Sequence, residues 1–212
     1  ALIMTHSDDQ GLVLPPNLAP YQVVIVPIYK SEEQLDAIST VAQDIMKTLR
    51  SDNISVKYDA RTTQRPGAKF AQHELQGVPL RIAIGPKDLE KGTVEVARRD
   101  TLSKTTFPLD GLSKEIKNLL TEIQETLYKR AFDFRDAHIT EVDTFEDFRK
   151  VLEEKGGFIS AHWDGTAQTE QKIKDATKAT IRCIPYDSTE EVGVCVFSGA
   201  PSKGRVLFAK AY

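Results

Sequence analysis

Two cysteines are the first candidates for chemistry in this 212-residue chain, because no other position carries a thiol. Cys183 and Cys195 lie twelve residues apart in a segment whose composition favours β-strands. Their spacing is compatible with half of a zinc site, with a disulfide, or with two thiols that take part in no chemistry. Two cysteines are too few for a disulfide framework, so we expect a reducing, cytoplasmic environment.

Other catalytic signatures are weak. The run His6-Ser7-Asp8-Asp9 places an imidazole beside two carboxylates, which suggests a metal or acid/base site, but a polar turn is the favoured interpretation. The phosphate-binding patterns G-x-x-x-x-G-K-[ST] and G-x-G-x-x-G do not occur, and neither does the nucleophile pattern G-x-S-x-G. These residues alone do not indicate a reaction.

A basic stretch is more informative. Residues 61–104 contain nine Lys and Arg against five Asp and Glu, whereas the whole chain has a net charge of -3. A locally basic surface on an acidic protein is suited to a phosphate backbone, although a solvated face of mixed charge is the alternative. Tyr58, Phe70 and His73 lie among the cations and could stack on unpaired RNA bases or pack in the core.

The hydrophobic pattern predicts the elements that position this stretch. YQVVIVPIY is typical of a central strand, and the following SEEQ begins a helix whose Ser31 and Gln34 fit a capping box. ISVKYDA and LRIAIGP continue the pattern as strands, so a βαβ crossover and a parallel pair are expected. A strand pair in TVEVARRD and KTTFPLD and a long helix over 111–138 complete a mixed sheet flanked by helices.

We therefore predict three segments. Residues 1–19 combine a strand-like ALIM run with the proline-rich linker LPPNLAP, residues 20–138 form an α/β domain, and residues 139–212 form a small α+β domain. The ALIM run has no start signal ahead of it, so the chain is expected to be a fragment of a longer protein. No apolar run approaches the ~20 residues that cross a bilayer, so no membrane association is expected.

Several long motifs together resemble prolyl-tRNA synthetases of the archaeal/eukaryotic type. MTHSDDQGLVLPPNLAPYQVVIVPIYK resembles the end of the class II catalytic core and its junction with the anticodon-binding domain. RPGAKFAQHELQGVPLRIAIGPKDLE and RRDT resemble the class IIa anticodon-binding domain itself, while AHWDGTAQTEQKIKDATKATIRCIP and GRVLFAKAY resemble the C-terminal domain. The resemblance implies a ligase that activates proline with ATP and Mg and transfers it to tRNA(Pro).

The same resemblance implies that the catalytic core lies before Ala1, so this chain is expected to recognise tRNA and to aminoacylate nothing by itself. Proline anticodons end in GG, and arginine, carboxylate and aromatic groups are suited to bonding or stacking on guanine. The residues that we predict to contact the anticodon are Arg61, Lys69, Phe70, Glu74, Arg98 and Arg99. Replacing Arg98 with alanine is expected to weaken tRNA binding without unfolding the domain.

Two further features follow from the resemblance. The terminal Tyr212 is expected to direct its carboxylate towards the catalytic core of the full-length enzyme. Relatives hold zinc with four cysteines, but here only Cys183 and Cys195 remain, and serines occupy the positions of the other two thiols, Ser188 and Ser198. Hydroxyl groups are poor zinc ligands, so zinc is predicted to be absent even if His162 or Asp187 were recruited.

Two alternatives stay open at this point. The chain could be the anticodon-binding domain of another class IIa synthetase, such as a glycyl, threonyl or histidyl enzyme, although the residues after 139 argue against it. It could also be a stand-alone, non-catalytic module that binds RNA or protein. The full-length enzyme is expected to be a homodimer through its catalytic core, and the fragment a monomer.

Overall fold

A computed structural model describes residues 1–186 and 188–211. The chain divides into two compact units, Ala1–Ala131 and Phe132–Tyr212, and each is described separately below. The division falls inside a long helix, a few residues before the boundary at 138/139 that the sequence predicts. No helix formed by the described residues is long and apolar enough to cross a membrane.

The first residues form a helix, so the predicted strand is wrong. Helix α1 (Leu2–His6) is a single turn in which Thr5 N–H donates to Ala1 C=O at 3.0 Å, and its residues are not buried. An apolar run without a neighbouring strand leaves its backbone groups unpaired, whereas a helical turn satisfies some of them locally. The proline-rich stretch that follows contains a short 3-10 turn at Pro16–Leu18.

A five-stranded mixed sheet organises the first unit, which confirms the predicted α/β class. The elements are β1 (Val23–Pro27), α2 (Glu32–Ser51), β2 (Val56–Tyr58), α3 (Pro66–Leu75), β3 (Leu80–Ile84), α4 (Pro86–Lys91), β4 (Thr93–Arg98), β5 (Lys104–Pro108) and α5 (Leu112–Ala137). The strands run in the order β2-β1-β3-β4-β5, with β1 parallel to β2 and β3, and with β4 antiparallel to β3 and β5.

The start of α2 shows a shifted version of the predicted capping box. Ser31 Oγ accepts a hydrogen bond from Gln34 N–H at 3.4 Å, as expected for an N-cap. The returning bond goes to a different donor, because Gln34 Oε1 accepts from Lys30 N–H at 2.9 Å instead of from Ser31 N–H. The reciprocal arrangement is thus displaced by one residue.

The two faces of this sheet differ in composition. One face carries the main core, in which alternate residues of the strands pack against α2 and α5. The other face carries Val24 and Val26, which pack with Phe70 of α3. Because side chains alternate along a strand, Arg81 of β3 and Glu95 of β4 also project from this second face.

The second unit is a small α+β arrangement, as predicted. The elements are β6 (Ile139–Glu141), α6 (Phe145–Glu154), β7 (Phe158–His162), α7 (Ala167–Thr177), β8 (Ala179–Cys183), β9 (Gly193–Val194), β10 (Pro201–Ser202) and β11 (Arg205–Lys210). The four-stranded sheet has the order β6-β7-β11-β8, and the core contains an edge-to-face pair of Phe148 and Phe208 with ring centroids 5.2 Å apart.

Candidate nucleic-acid interface

Arg81 is the most unusual charged residue on the second face of the sheet. The residue is 4% exposed, and its guanidinium carbon lies 3.7 Å from the centroid of the Phe70 ring. That distance places the planar cation directly on the ring, in a cation–π contact that holds the plane of its donors. Burial lowers the pKa of the Arg81 guanidinium, and the opposing charges of Glu74 and Glu95 partly offset this effect.

The donors of Arg81 are not satisfied. Its Nε and Nη1 atoms are buried and have no hydrogen-bond partner among the described residues. The nearest carboxylates make only loose ion pairs, with Glu95 Oε1 at 3.6 Å from Nη1 and Glu74 Oε1 at 3.9 Å from Nη2. A buried donor without a hydrogen bond is costly, and in native structures such a group is usually satisfied by ordered water, an ion or a ligand.

Both carboxylates beside Arg81 are partly exposed. The Glu74 side chain is 37% exposed and the Glu95 side chain is 39% exposed, whereas the Arg81 side chain is only 5% exposed. Glu74 therefore presents a carboxylate beside a planar set of donors. We call Phe70, Glu74, Arg81 and Glu95 the Arg81 site.

A second cluster surrounds Asp59, at the end of β2. Arg61 binds both carboxylate oxygens of Asp59, at 2.7 and 2.6 Å, and His73 Nε2 lies 2.8 Å from Oδ2. The ammonium group of Lys69 is buried and donates to the Asp59 carbonyl at 2.9 Å. The hydrogen bonds from Arg61 are the main reason why the pKa of Asp59 is held well below its usual range.

Arg98 and Arg99, at the end of β4, are fully engaged within the protein. Arg98 binds both oxygens of Asp100, at 3.0 and 2.9 Å, and its Nη1 donates to Glu122 at 2.6 Å. Arg99 binds both oxygens of Asp8, at 2.6 and 2.8 Å, and its Nε donates to the Glu74 carbonyl at 2.8 Å. Hydrogen bonding to Asp100 raises the pKa of Arg98.

The structure thus divides the six predicted anticodon contacts into three groups. Phe70 and Glu74 meet at the Arg81 site, Arg61 and Lys69 surround Asp59, and Arg98 and Arg99 form ion pairs elsewhere. Direct contact with RNA stays a prediction for each of the six. Arg81 is not among the contacts predicted from the sequence, although an arginine inside the otherwise apolar strand LRIAI is a signal for it.

The two cysteines of the second unit are free thiols, with Cys195 buried and Cys183 exposed. Ser198 donates to Asp164 Oδ2 at 2.6 Å, and Thr169 donates to the same oxygen at 2.7 Å. Partial burial raises the pKa of Asp164, but bonds from Ser198, Thr169 and Thr166 outweigh it and hold this pKa below its usual range.

These donors do not fit a zinc ion. Within residues 1–186 and 188–211, no three His, Cys, Asp or Glu side chains form a group that could hold a metal. The hydroxyl of Ser198 is committed to Asp164, and a neutral hydroxyl is a weak ligand beside a thiolate. The zinc-free state stays a prediction. Asp187, considered as a recruited ligand, and Tyr212, predicted to face a catalytic core, lie outside the described residues.

The architecture of the first unit corresponds to a known class of RNA-recognition domain, since residues 22–119 match the family described as the anticodon binding domain. Residues 145–212 match the family described as prolyl-tRNA synthetase, C-terminal. In this chain the two matched domains follow one another, and together they are similar to the C-terminal region of prolyl-tRNA synthetases. The subdivision into an archaeal/eukaryotic type stays a prediction.

Comparison with curated proteins gives the same family over the whole chain. The chain is 68% identical to a proline--tRNA ligase of Christiangramia forsetii, 65% identical to one of Flavobacterium johnsoniae and 55% identical to one of Porphyromonas gingivalis. Each similarity covers 100% of this chain and 43% of the relative. The chain therefore spans less than half the length of these proteins.

Proposed function

We propose that the first unit reads guanine in the anticodon of tRNA(Pro), as part of a protein that activates proline with ATP and Mg and ligates it to that tRNA. The aminoacylation step is assigned to the portion of the longer protein outside these 212 residues. The names of the relatives support this assignment, as does the anticodon-binding domain at residues 22–119. A cytoplasmic location, a dimeric full-length enzyme and a zinc-free C-terminal unit belong to the same proposal.

The unsatisfied guanidinium of Arg81 is the observation that carries the recognition role. Guanine offers two adjacent acceptors, O6 and N7, and arginine is the side chain that bonds them bidentately. The free Nε and Nη1 atoms of Arg81 lie on different edges of the guanidinium, and each shares its edge with Nη2, whose nearest carboxylate oxygen is 3.9 Å away. A guanine bound at either edge would satisfy one of the two buried donors and reduce the cost of leaving it unbonded.

Glu74 completes the match to guanine. The Watson–Crick edge of guanine carries two donors, N1–H and the N2 amino group, and a carboxylate can accept from both. Glu74 lies beside Arg81, with 3.9 Å between the nearest charged atoms, and its side chain is half-exposed. A guanine that contacts both residues would therefore be recognised on two edges, while Phe70 holds the plane of the Arg81 guanidinium.

The experiment compares binding of anticodon stem-loops of tRNA(Pro) to the full protein by fluorescence anisotropy. Single guanines of the anticodon are replaced with 7-deazaguanine, which lacks the N7 acceptor, or with inosine, which lacks the N2 amino group. A bond to a charged group is worth about 1.5–3 kcal/mol, so each replacement should weaken binding about 10- to 150-fold.

Variants then assign each contact. Arg81→Met should bind guanine and 7-deazaguanine stem-loops equally, and Glu74→Met, which lacks an oxygen acceptor, should bind guanine and inosine stem-loops equally. Arg50→Met removes the same charge from an exposed position on α2 and serves as the matched control, with less than about a twofold loss expected. A wild-type protein that does not distinguish guanine from either analogue would refute the proposal.

The same assay separates the alternatives. Stem-loops carrying glycine, threonine or histidine anticodons should bind more weakly than that of tRNA(Pro). Preference for one of them would indicate another synthetase of the same class. The absence of binding to every stem-loop, with an intact fold, would favour a non-catalytic interaction module.

A further inference from the structure

Residues 8–14 precede the first strand of the sheet in the chain, and their backbone is hydrogen-bonded to the end of α3 and the turn after it. Leu12 N–H donates to Leu75 C=O at 3.1 Å, and Leu14 N–H donates to Gly77 C=O at 3.2 Å. These two bonds join a segment near the start of the chain to the last residue of the helix that carries Phe70 and Glu74 and to the turn that follows it. The segment is thus attached to the support of the Arg81 site.

Two glycines make this close contact possible. Gly11 has a φ of +127°, and a Cβ atom there would lie 2.7 Å from the Leu75 Cα atom. Gly77 has a φ of +74°, and a Cβ atom there would lie 2.5 Å from the Leu12 carbonyl oxygen. Side chains are excluded from both sides of the contact, so the two backbones touch directly.

Arg99 joins the same two pieces of chain through its side chain. Its guanidinium group binds both carboxylate oxygens of Asp8, while its Nε donates to the main-chain carbonyl of Glu74. The Arg99 side chain is 1% exposed, and its own backbone N–H donates to Pro79 C=O at 2.9 Å. The side chain of Arg99 therefore joins residues 8–14 to the end of α3, and its backbone N–H ties both to the residue before β3.

We propose that Arg99 is a positioning residue for guanine recognition, acting through the last turn of α3. It bridges Asp8 and the Glu74 carbonyl, and thereby fixes the place from which the Glu74 carboxylate faces Arg81. Residues 8–14 become part of the recognition unit, although they do not contact the RNA. This inference rests on the guanine-reading function proposed above.

Weakening the Arg99 bridge should affect recognition of the two edges of guanine differently. Glu74 depends on the bridge, because its own carbonyl is one of the bonded groups. Arg81 lies on β3, whose place is set by pairing with β1 and β4. Loosening the bridge should therefore impair reading of the N2 amino group and leave reading of N7 intact, because recognition requires placement to within about 0.5 Å.

The test uses Asp8→Ala in the full protein, with Asp9→Ala as a matched control. Asp9 is exposed, adjacent in sequence and equal in charge. Asp8→Ala should reduce the preference for guanine over inosine about 3- to 10-fold, while the preference for guanine over 7-deazaguanine stays within twofold. Asp9→Ala should change neither ratio by more than about twofold. Hydrogen exchange at the Leu12 and Leu14 amides reports release of the segment.

Each outcome either supports or overturns the positioning role of Arg99. Faster exchange with an unchanged guanine-over-inosine ratio would show that the bridge has no role in positioning. Unchanged exchange would show that Asp8 and Arg99 do not hold the segment, which also overturns the inference. Equal loss of both ratios would indicate general loosening of the domain instead. A wild-type protein with no guanine preference would refute the proposed function itself, which is a separate result.

Discussion

The arginine of the Arg81 site and the two arginines at the end of β4 differ in how many of their donors are hydrogen-bonded. Arg98 and Arg99 each bind a carboxylate with two bonds and direct a third donor to another acceptor. Arg81 lies in the neighbouring strand and its side chain is 5% exposed, yet two of its donors make no hydrogen bond within the described residues and its ion pairs are loose. The saturated pair contributes to the fold, whereas the unsaturated arginine is available to a ligand.

Charge alone therefore does not identify a recognition residue. A guanidinium whose donors are already bonded must break those bonds before it binds RNA, and the exchange yields little net free energy. A guanidinium with free donors gains the full benefit of the new bonds. The predictions below test whether saturation separates structural arginines from functional ones.

The largest effect is expected for Arg98→Met. The substitution leaves the Asp100 carboxylate, whose side chain is fully buried, without its charged partner. Removing one partner of a buried ion pair costs about 3 kcal/mol or more, so the free energy of unfolding should fall by that amount. Urea denaturation measures the change, with Arg149→Met in the exposed part of α6 as the control. An unchanged free energy of unfolding would contradict the structural role.

The opposite sign is expected for Arg81→Met in the absence of RNA. Methionine removes two unpaired buried donors and retains apolar contact with Phe70, at the cost of the cation–π interaction. The free energy of unfolding should rise by about 1 kcal/mol, because unsatisfied buried groups cost about 1–3 kcal/mol. A fall of similar size would show that Arg81 is structural, like Arg98.

Ser198→Ala extends the comparison to a saturated anion in the second unit. The substitution removes one donor from Asp164, which retains bonds from Thr166 and Thr169. Since Ser198 is exposed, we expect a loss of about 1 kcal/mol in the free energy of unfolding of this unit. Thermal denaturation of the wild-type protein and the variant in the same zinc-free buffer measures the change. A gain in stability would conflict with a structural role for this bond.

The smallest effect is a pH dependence at Asp8. Hydrogen bonds from Arg99 lower the pKa of Asp8 to about 2, below its ordinary value. A lowered pKa contributes stability above the unfolded-state value of about 4 and loses it as the pH falls towards 2. Asp8→Asn should therefore flatten the fall in stability between about pH 5 and pH 3. An identical slope in both proteins would indicate that the pair contributes nothing.

Much of the fold was predictable because the long elements have clear patterns. Apolar runs in β1 and β3 and the helical spacing in α2 and α5 indicated a mixed sheet, as the structure confirms. The short strands β6 and β10 have three and two residues, too few to establish a period. The strand predicted for the ALIM run was wrong because strand formation depends on a neighbouring strand that the local sequence does not reveal.

The site was predictable only in part, for a physical reason. Phe70 and Glu74 were selected for their chemistry, and they do meet at one place. The partners that occupy the other candidates are distant in sequence, since Asp8 and Arg99 are separated by 91 positions. Which arginine remains free is a property of the folded chain, so a search for clustered charges selected the saturated residues and overlooked Arg81.

The unpaired donors of Arg81 have an evolutionary consequence. A population of variants selected only for thermal tolerance should replace this arginine early, because nearly any apolar side chain of similar length relieves the cost. A population selected for accurate translation should retain it. The residue at position 81 would then differ between lineages under the two selection pressures. Sequencing both populations after parallel selection would measure this difference at a single codon.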